Sequence, residues 1–403
     1  MKKLRGVLLS TVVCATLASA GAVEAQFEAP KDTSAFDKVE LGLGANLTFT
    51  YQGLDNSYTP TAGSEVELQA GFILPQADVE LRGKVMSGFN MKLQWMVSSH
   101  HHHESYAKGG EATIDNLDFI YPGFAEGFMK NATIRVGVND VNFGDAHFRR
   151  TDNANVFNTP FVNNMGVEAY EAAAFIEVFY RMPSANMFVL GGVTNDQVNP
   201  DDVVASSTSS STPAVYGKIG YDAQLSDALR VRVTESLFHN SGNGNGSLYY
   251  GDKSGTTATS VLGGTSGFGA GWNALSGYYE LTSSMTNAFV KYNNTEFFGT
   301  FEYADASTSA GVDMTLTHYA IEAVQRFAND KLYVAARYEN ATVEKDGDTS
   351  DDELTQLQAT VGWYLSKNAI AKLEYIKQER KNFSSFVGDA SFDGFMLSTA
   401  LRF

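Results

Sequence analysis

From Lys38 to Gln52 the chain alternates without a break. Val39, Leu41, Leu43, Ala45, Leu47, Phe49 and Tyr51 fall on one side, and Glu40, Gly42, Gly44, Asn46, Thr48, Thr50 and Gln52 on the other. Successive side chains of a strand point to opposite faces, so this stretch is a strand with one apolar and one polar face. The last stretch, Ser391 to Phe403, repeats the pattern. Phe395, Leu397, Thr399, Leu401 and Phe403 share one face, Gly394, Met396, Ser398, Ala400 and Arg402 the other, and the chain stops on the aromatic residue. A sheet has edges unless its final strand pairs with its first, and in lipid an unpaired edge costs several kcal/mol per backbone group. The terminal stretch is therefore expected to close an all-β, transmembrane antiparallel β-barrel, with Phe395, Leu397, Leu401 and Phe403 as its outward closing signal.

The N-terminus agrees with that destination. Lys2, Lys3 and Arg5 precede an apolar run from Gly6 to about Ala20 that ends in small residues. This is the layout of a cleaved Sec signal peptide, and the run is shorter than the roughly 20 residues of a membrane-spanning helix. Cleavage fits after Ala20 or after Ala25; the second is preferred because Gln26 then opens a polar segment. Residues 1–25 are read as signal peptide and 26–403 as one barrel domain. The single cysteine, Cys14, lies inside the signal. Removing Lys2, Lys3, Arg5 and Glu24 takes a net two positive charges from the formal −17 and leaves −19, a balance that disfavours nucleic-acid binding. No later stretch is apolar for 18 residues, so helical spans are excluded.

Along the chain the alternation recurs about 16 times, with short periplasmic turns and long extracellular loops. A polar loop is expected from Leu54 to Gly63, then a strand from about Glu65 to Val85 kinked at Pro75. A tight turn at Ser87-Gly88 leads into Phe89 to Val97. The next two strands are placed at Ala112 to Tyr121 and Ala132 to Asp140. Turns are expected at Pro183 to Ala185, Gln224 to Asp227, Asn293-Asn294, Asn329-Asp330 and Lys367, and a long Gly/Asn/Ser/Thr loop from His239 to about Trp272. If the register is right, Leu43→Arg faces lipid and costs about 2 to 4 kcal/mol at mid-bilayer, while Asn46→Arg on the opposite face is tolerated.

Between the strands ending at Asp140 and beginning after Gly166 lies a segment unlike the rest, Val141 to Gly166. It carries Asp145, His147, Arg149, Arg150 and Asp152 close together among aromatics and Asn. The order of these features resembles the phosphate-selective porin (porin O/P) family of bacterial outer-membrane channels. The resemblance lies in Ala77 to Trp95, in Ala132 to Gly144 leading into the charged loop, in Thr286 to Ser307, and in the terminal strand. It implies a 16-stranded outer-membrane barrel, a homotrimer, passive diffusion of small hydrophilic solutes, and an inward-folded loop that narrows the pore. It also implies contact with outer-membrane lipid and lipopolysaccharide, and delivery to the barrel-assembly machinery through the C-terminal strand. The family's phosphate channels use rows of Arg and a Lys cluster. This chain departs from them, with 29 basic against 46 acidic residues and no Lys cluster in the charged loop.

The inward parity collects Arg82, Lys84, Lys92, Arg135, Arg230, Arg232, Arg337 and Lys372, partly offset by Glu80, Glu339 and Glu374. Side chains ringing a narrow point set selectivity, so this set is the expected selectivity wall, although inward charges also brace a wall by pairing. Much of the acid is placed in outer loops, for example Asp201 and Asp202, or Glu344 to Glu353, so net charge misleads about the pore. The run His100 to His103 offers imidazoles without a fixed geometry or companion ligands, and no metal or cofactor is expected. No nucleophile elbow, His-Glu-x-x-His or phosphate loop occurs, so no enzyme is expected. His147 beside Asp145 and Arg149 is read as a pore-loop hydrogen-bonding group. The leading function is a passive outer-membrane porin with 141–166 as constriction. The alternatives are an anion- or phosphate-selective channel, and a surface receptor or adhesin that displays its loops.

Overall fold

The computed structural model describes residues 40–98, 104–151, 155–196, 212–242, 246, 248–249, 258, 261–262, 271–275 and 277–403. The expected signal peptide, His100 to His103, Asp152, Asp201 and Asp202 lie outside these residues. The strands are β1 (Glu40–Ser57), β2 (Gly71–Met86), β3 (Phe89–Ser98), β4 (Glu104–Ile114), β5 (Ala132–Asp140), β6 (Ala172–Met182), β7 (Met187–Thr194) and β8 (Ala214–Gln224). They continue as β9 (Leu229–Asn240), β10 (Tyr278–Tyr292), β11 (Thr295–Thr308), β12 (Asp313–Phe327), β13 (Leu332–Lys345), β14 (Asp352–Ser366), β15 (Ala369–Lys381) and β16 (Ala390–Arg402). Each pairs antiparallel with its sequence neighbours, and β16 pairs with β1, closing a 16-stranded transmembrane barrel. Asn46 stands opposite Arg402, Tyr51 opposite Leu397 and Ser57 opposite Ser391. The Phe403 N–H donates to Ala45 O at 3.0 Å, so the terminal strand is tied to the first up to its last residue.

Parity follows the sequence. Leu43, Phe49, Leu93, Trp95, Val334, Trp363 and Leu397 are exposed on the outside, while Asn46, Thr50, Gln94, Gln358 and Ser398 are buried inside. The tight turns, with Asn293 and Asn329 in the left-handed region, share one rim with the barrel's two ends. The longer connections share the other rim, except the one between β4 and β5. A register shift between Thr48 and Thr50 takes up one extra residue of β2 at Pro75, which cannot donate to the ladder.

Three expectations are corrected. β1 runs on to Ser57 through Leu54, which turns inward and is buried, and β2 begins at Gly71 rather than Glu65. The strand placed at Ala112 to Tyr121 is Glu104–Ile114. After Ile114, Asp118 N–H bonds Asn116 Oδ1 at 3.2 Å and Gly123 N–H bonds Asp118 Oδ1 at 2.9 Å, so local side chains take donors that a strand would offer to its neighbour. The chain leaves the sheet as a long connection on the turn rim, with one helical turn at Glu126–Met129 and with Phe119, Ile120 and Tyr121 exposed. Finally, the inner face is not uniformly polar: inward Met285, Leu316, Ile376, Phe392 and Met396 are buried in apolar clusters.

Candidate functional site

Those dry inward faces are covered by the segment between β5 and β6, here called the inner loop. Its ends meet where Val141 N–H donates to Glu171 O at 3.0 Å. Gly144, at φ +65°, turns the chain inward in the left-handed region, where a Cβ would lie 2.2 Å from the Met285 sulfur. Apolar Val156, Phe157 and Phe161 then pack on inward Val324, Tyr333, Ala335, Ile370 and Ala400.

The first half of the loop is held by charge. Arg232 Nε donates to Asp145 Oδ2 at 2.7 Å and Lys218 Nζ to Asp145 Oδ1 at 3.1 Å. Lys218 also donates to Gly144 O at 2.6 Å. Burial pushes the Asp145 carboxyl up, but the Arg232 and Lys218 cations outweigh it and hold the group well below the usual carboxylate range. His147 donates Nδ1–H to Phe143 O at 3.1 Å, and its burial, reinforced by the Lys218 charge, lowers it to about 3. Its imidazole is therefore neutral and structural. Arg149 Nε donates to Glu322 Oε2 at 2.6 Å, and Arg150 pairs with Glu168 and lies 3.9 Å over the Tyr170 ring.

The second half is held through its backbone. Glu374 accepts from Val162 N–H at 2.6 Å and from Asn163 N–H at 3.1 Å. Glu339 accepts from Gly166 N–H and Val167 N–H, both at 2.8 Å. Arg337 Nη1 and Gln358 Nε2 donate to Asn163 O at 3.2 and 3.0 Å. Lys372 Nζ donates to Val156 O at 2.5 Å, Thr159 O at 2.8 Å and Phe161 O at 3.1 Å. Behind Glu339, His318 lies between two carboxylates, 3.1 Å from Glu302 and 3.2 Å from Glu339. Tyr249, from the 241–277 connection, donates to Glu302 at 2.6 Å, and Ala258 N–H donates to Asn163 Oδ1 at 2.9 Å. What is described of that long connection thus turns into the barrel onto the inner loop.

The basic residues expected to form a wall divide into three groups. Arg337 and Lys372 are buried beneath the loop, their donors spent on it, on Glu322 and on Gln358. Arg135 bridges Glu111 and Glu177, and Arg232 bridges Asp145 and Asp222. Arg82, Lys84, Lys92 and Arg230 stay open toward the turn rim. The Arg82 side chain is 73% exposed beside Glu80, Lys92 lies 3.3 Å from Glu111, and Arg230 lies 2.9 Å from Asp222. Arg82, Lys84 and Lys92 line a recess of about 650 Å³ with Glu111, Asn90 and Thr113. An adjoining recess of about 320 Å³ is floored by Asn46 and Asp78. Open volume therefore lies along β1–β4, opposite the wall that the loop covers. Sequence reasoning missed Lys218, Glu302, His318 and Glu322. Their inward parity was readable, but nothing in the alternation says that a loop's donors and acceptors will reach them.

A closed 16-stranded barrel holding an inward-folded segment between its fifth and sixth strands is the fold of the outer-membrane porins. No protein-family model matches the chain, and no curated protein matches it in sequence. Among solved structures it is similar to the outer membrane channel DcaP of Acinetobacter baumannii, at 9% identity over 94% of this chain and 100% of that one, with a TM-score of 0.53. It is similar to the anion-selective porin from Comamonas acidovorans, at 9% identity over 91% of this chain and 100% of that one, with a TM-score of 0.52. In-vitro folded OmpT of Vibrio cholerae, in its trimer form, matches at 12% identity over 91% and 100%, also with a TM-score of 0.52. At such identities the likeness is one of fold.

Proposed function

We propose that this chain is a passive, non-enzymatic diffusion channel for small hydrophilic solutes in a bacterial outer membrane. The observation that carries the reading is the inner loop, fixed by charge at Asp145 and by backbone bonds at Glu339 and Glu374. A loop so held narrows the lumen permanently and leaves solutes the polar β1–β4 side. The comparison with an outer membrane channel and an anion-selective porin supports this, as does the order of features shared with the phosphate-selective porin family. Asp145, His147, Arg149, Arg150 and Asp152 belong to the constriction. Of the basic set, Arg82, Lys84, Lys92 and Arg230 act on solutes, Arg232, Arg337 and Lys372 act on the loop, and Arg135 braces β4 to β6 through Glu111 and Glu177. By analogy with the trimer form of OmpT the working assembly is a homotrimer, delivered through a signal peptide at residues 1–25.

The test is insertion into a planar bilayer under a salt gradient. Open steps support the channel, and their absence would return attention to a receptor or adhesin. A second reading, anion selectivity, is favoured by the open Arg82, Lys84 and Lys92 group. The triple change of these residues to Gln is then expected to move the reversal potential toward cations. An unmoved potential removes the second reading and leaves the first. Arg232 is a poor probe of selectivity, because its removal also takes away one of the two cations that hold Asp145.

A further inference from the structure

Three phenylalanines of the inner loop, Phe143, Phe157 and Phe161, are no more than 2% exposed, but Phe148 is 49% exposed. Among the described residues it is the only exposed large apolar side chain inside the barrel; the others lie on outward strand faces or in connections at the rims. Its direction follows from its neighbours. Asp145 and His147 before it and Arg150 after it are buried, and Arg149 is tied to Glu322 on β12, so the short helical turn Ala146–Arg149 leaves Phe148 on the side away from the wall. Lys218 Nζ lies 5.3 Å from the centre of its ring, over one face. The other face meets the passage. A bare ring in water gains only when a flat apolar surface covers it.

Cations continue from Lys218 along the inward face of β9. Lys218, Arg232 and Arg230 share two carboxylates, Asp145 and Asp222, so the group holds one positive charge in excess. Arg230 gives Nε and Nη2 to Asp222 at 3.0 and 2.9 Å, which fixes its guanidinium while the side chain stays 47% exposed. Its Nη1 has no partner among the described residues.

We propose that Phe148, with Arg230 and Arg232, is a recognition site for aromatic carboxylates. The proposal rests on the channel reading above and names a solute class for it. The solute's ring stacks on the free face of Phe148, and its carboxylate turns to the guanidiniums, whose planar forks match two oxygens. An aliphatic acid satisfies the cations alone, and a neutral sugar leaves them unanswered. Asp145 and Asp222 partly repel the incoming charge, which keeps the hold weak enough for the solute to leave again.

The test adds benzoate or cyclohexanecarboxylate to single channels of the full protein in potassium chloride. The two acids carry the same charge, one on a flat ring and one on a puckered ring. Benzoate is expected to halve the current at a concentration about fivefold lower, as an aromatic stack implies. Phe148→Leu is expected to bring the two concentrations together and Phe148→Tyr to keep them apart. Arg230→Gln is expected to raise both about tenfold, as loss of a charged hydrogen bond implies. If Phe148 only shields the Lys218–Asp145 pair, Leu shields it too, and a preference that survives Phe148→Leu would overturn the proposal. Equal concentrations in the unaltered channel would overturn it as well, as would an Arg230→Gln channel blocked as readily as the unaltered one. In each of these cases the channel still conducts. A chain that opens no steps removes the channel reading, and the site with it.

Discussion

Two residue-scale cases show where parity suffices and where depth and packing decide. Leu43 faces outward as expected, but Phe403 bonds to Ala45, so Leu43 lies at the turn rim. The cost of a cation on the lipid face falls from about 2 to 4 kcal/mol at the midplane to about 0 to 1 kcal/mol near the interface. Leu47→Arg is therefore expected to lower refolding stability by the larger amount and Leu43→Arg by the smaller, read by urea titration in lipid vesicles. Asn46, expected to tolerate Arg, is buried and donates to Asp78 Oδ2 at 3.1 Å, so it is not the neutral control; exposed Lys84→Gln is. His147 supplies a pH signature. Its pKa is lowered on folding from 6.5 to about 3, so the unfolded chain gains a proton that the folded chain refuses as pH falls below 6.5. Stability is then lost from pH 6.5 downward, whereas Asp145, with its pKa depressed, stabilises above its ordinary value of 3.8 and begins to lose that contribution only below it. Between pH 6.5 and about 5 the decline belongs to His147, and His147→Gln is expected to flatten the pH dependence of the unfolding midpoint in that window.

At the scale of elements, the strands were legible because each one records its two environments residue by residue. The exceptions share one cause. Leu117, Phe119 and Tyr121 keep an apolar alternation after Ile114, yet Asn116 and Asp118 divert the backbone bonds into turns. The candidate site was legible as a segment and not as a mechanism. Val141 to Gly166 stands out by composition, but Glu339 and Glu374 looked like offsets to inward cations when their oxygens in fact receive the loop's N–H groups. Glu374→Ala would leave Val162 and Asn163 N–H without acceptors, at about 1 to 3 kcal/mol each. Single channels of that variant are expected to be larger and noisier, with the barrel itself still folded. Unchanged conductance would mean that the loop does not set the narrow point. Gly144→Val, which must displace Met285 and strain a positive φ, is expected to act in the same direction.

At the scale of the whole molecule, formal charge and pore charge come apart. The −17 of the full chain is spread over loops and ion pairs, while open cations gather at one mouth. If residues 1–25 are removed on export, protein recovered from the outer membrane has a mass that begins at Gln26; a start at Gly21 would select the other cleavage point. The barrel's two sides also answer to different demands. Along β1–β4, side chains meet solvent, and under the proposed function a single change there would alter what a passing solute encounters. Along β12–β16, carboxylates and amides grip chiefly the peptide groups of residues 162–167, with Glu374 taking the Asn163 side-chain amide as well. A grip on peptide groups is indifferent to spelling, so the constraint on letters here comes from elsewhere: from Asn163, whose side chain is held too, and from Gly166, where a Cβ would lie 2.8 Å from Leu354. The properties of the passage can then drift, residue by residue, on a support that does not have to be rebuilt each time.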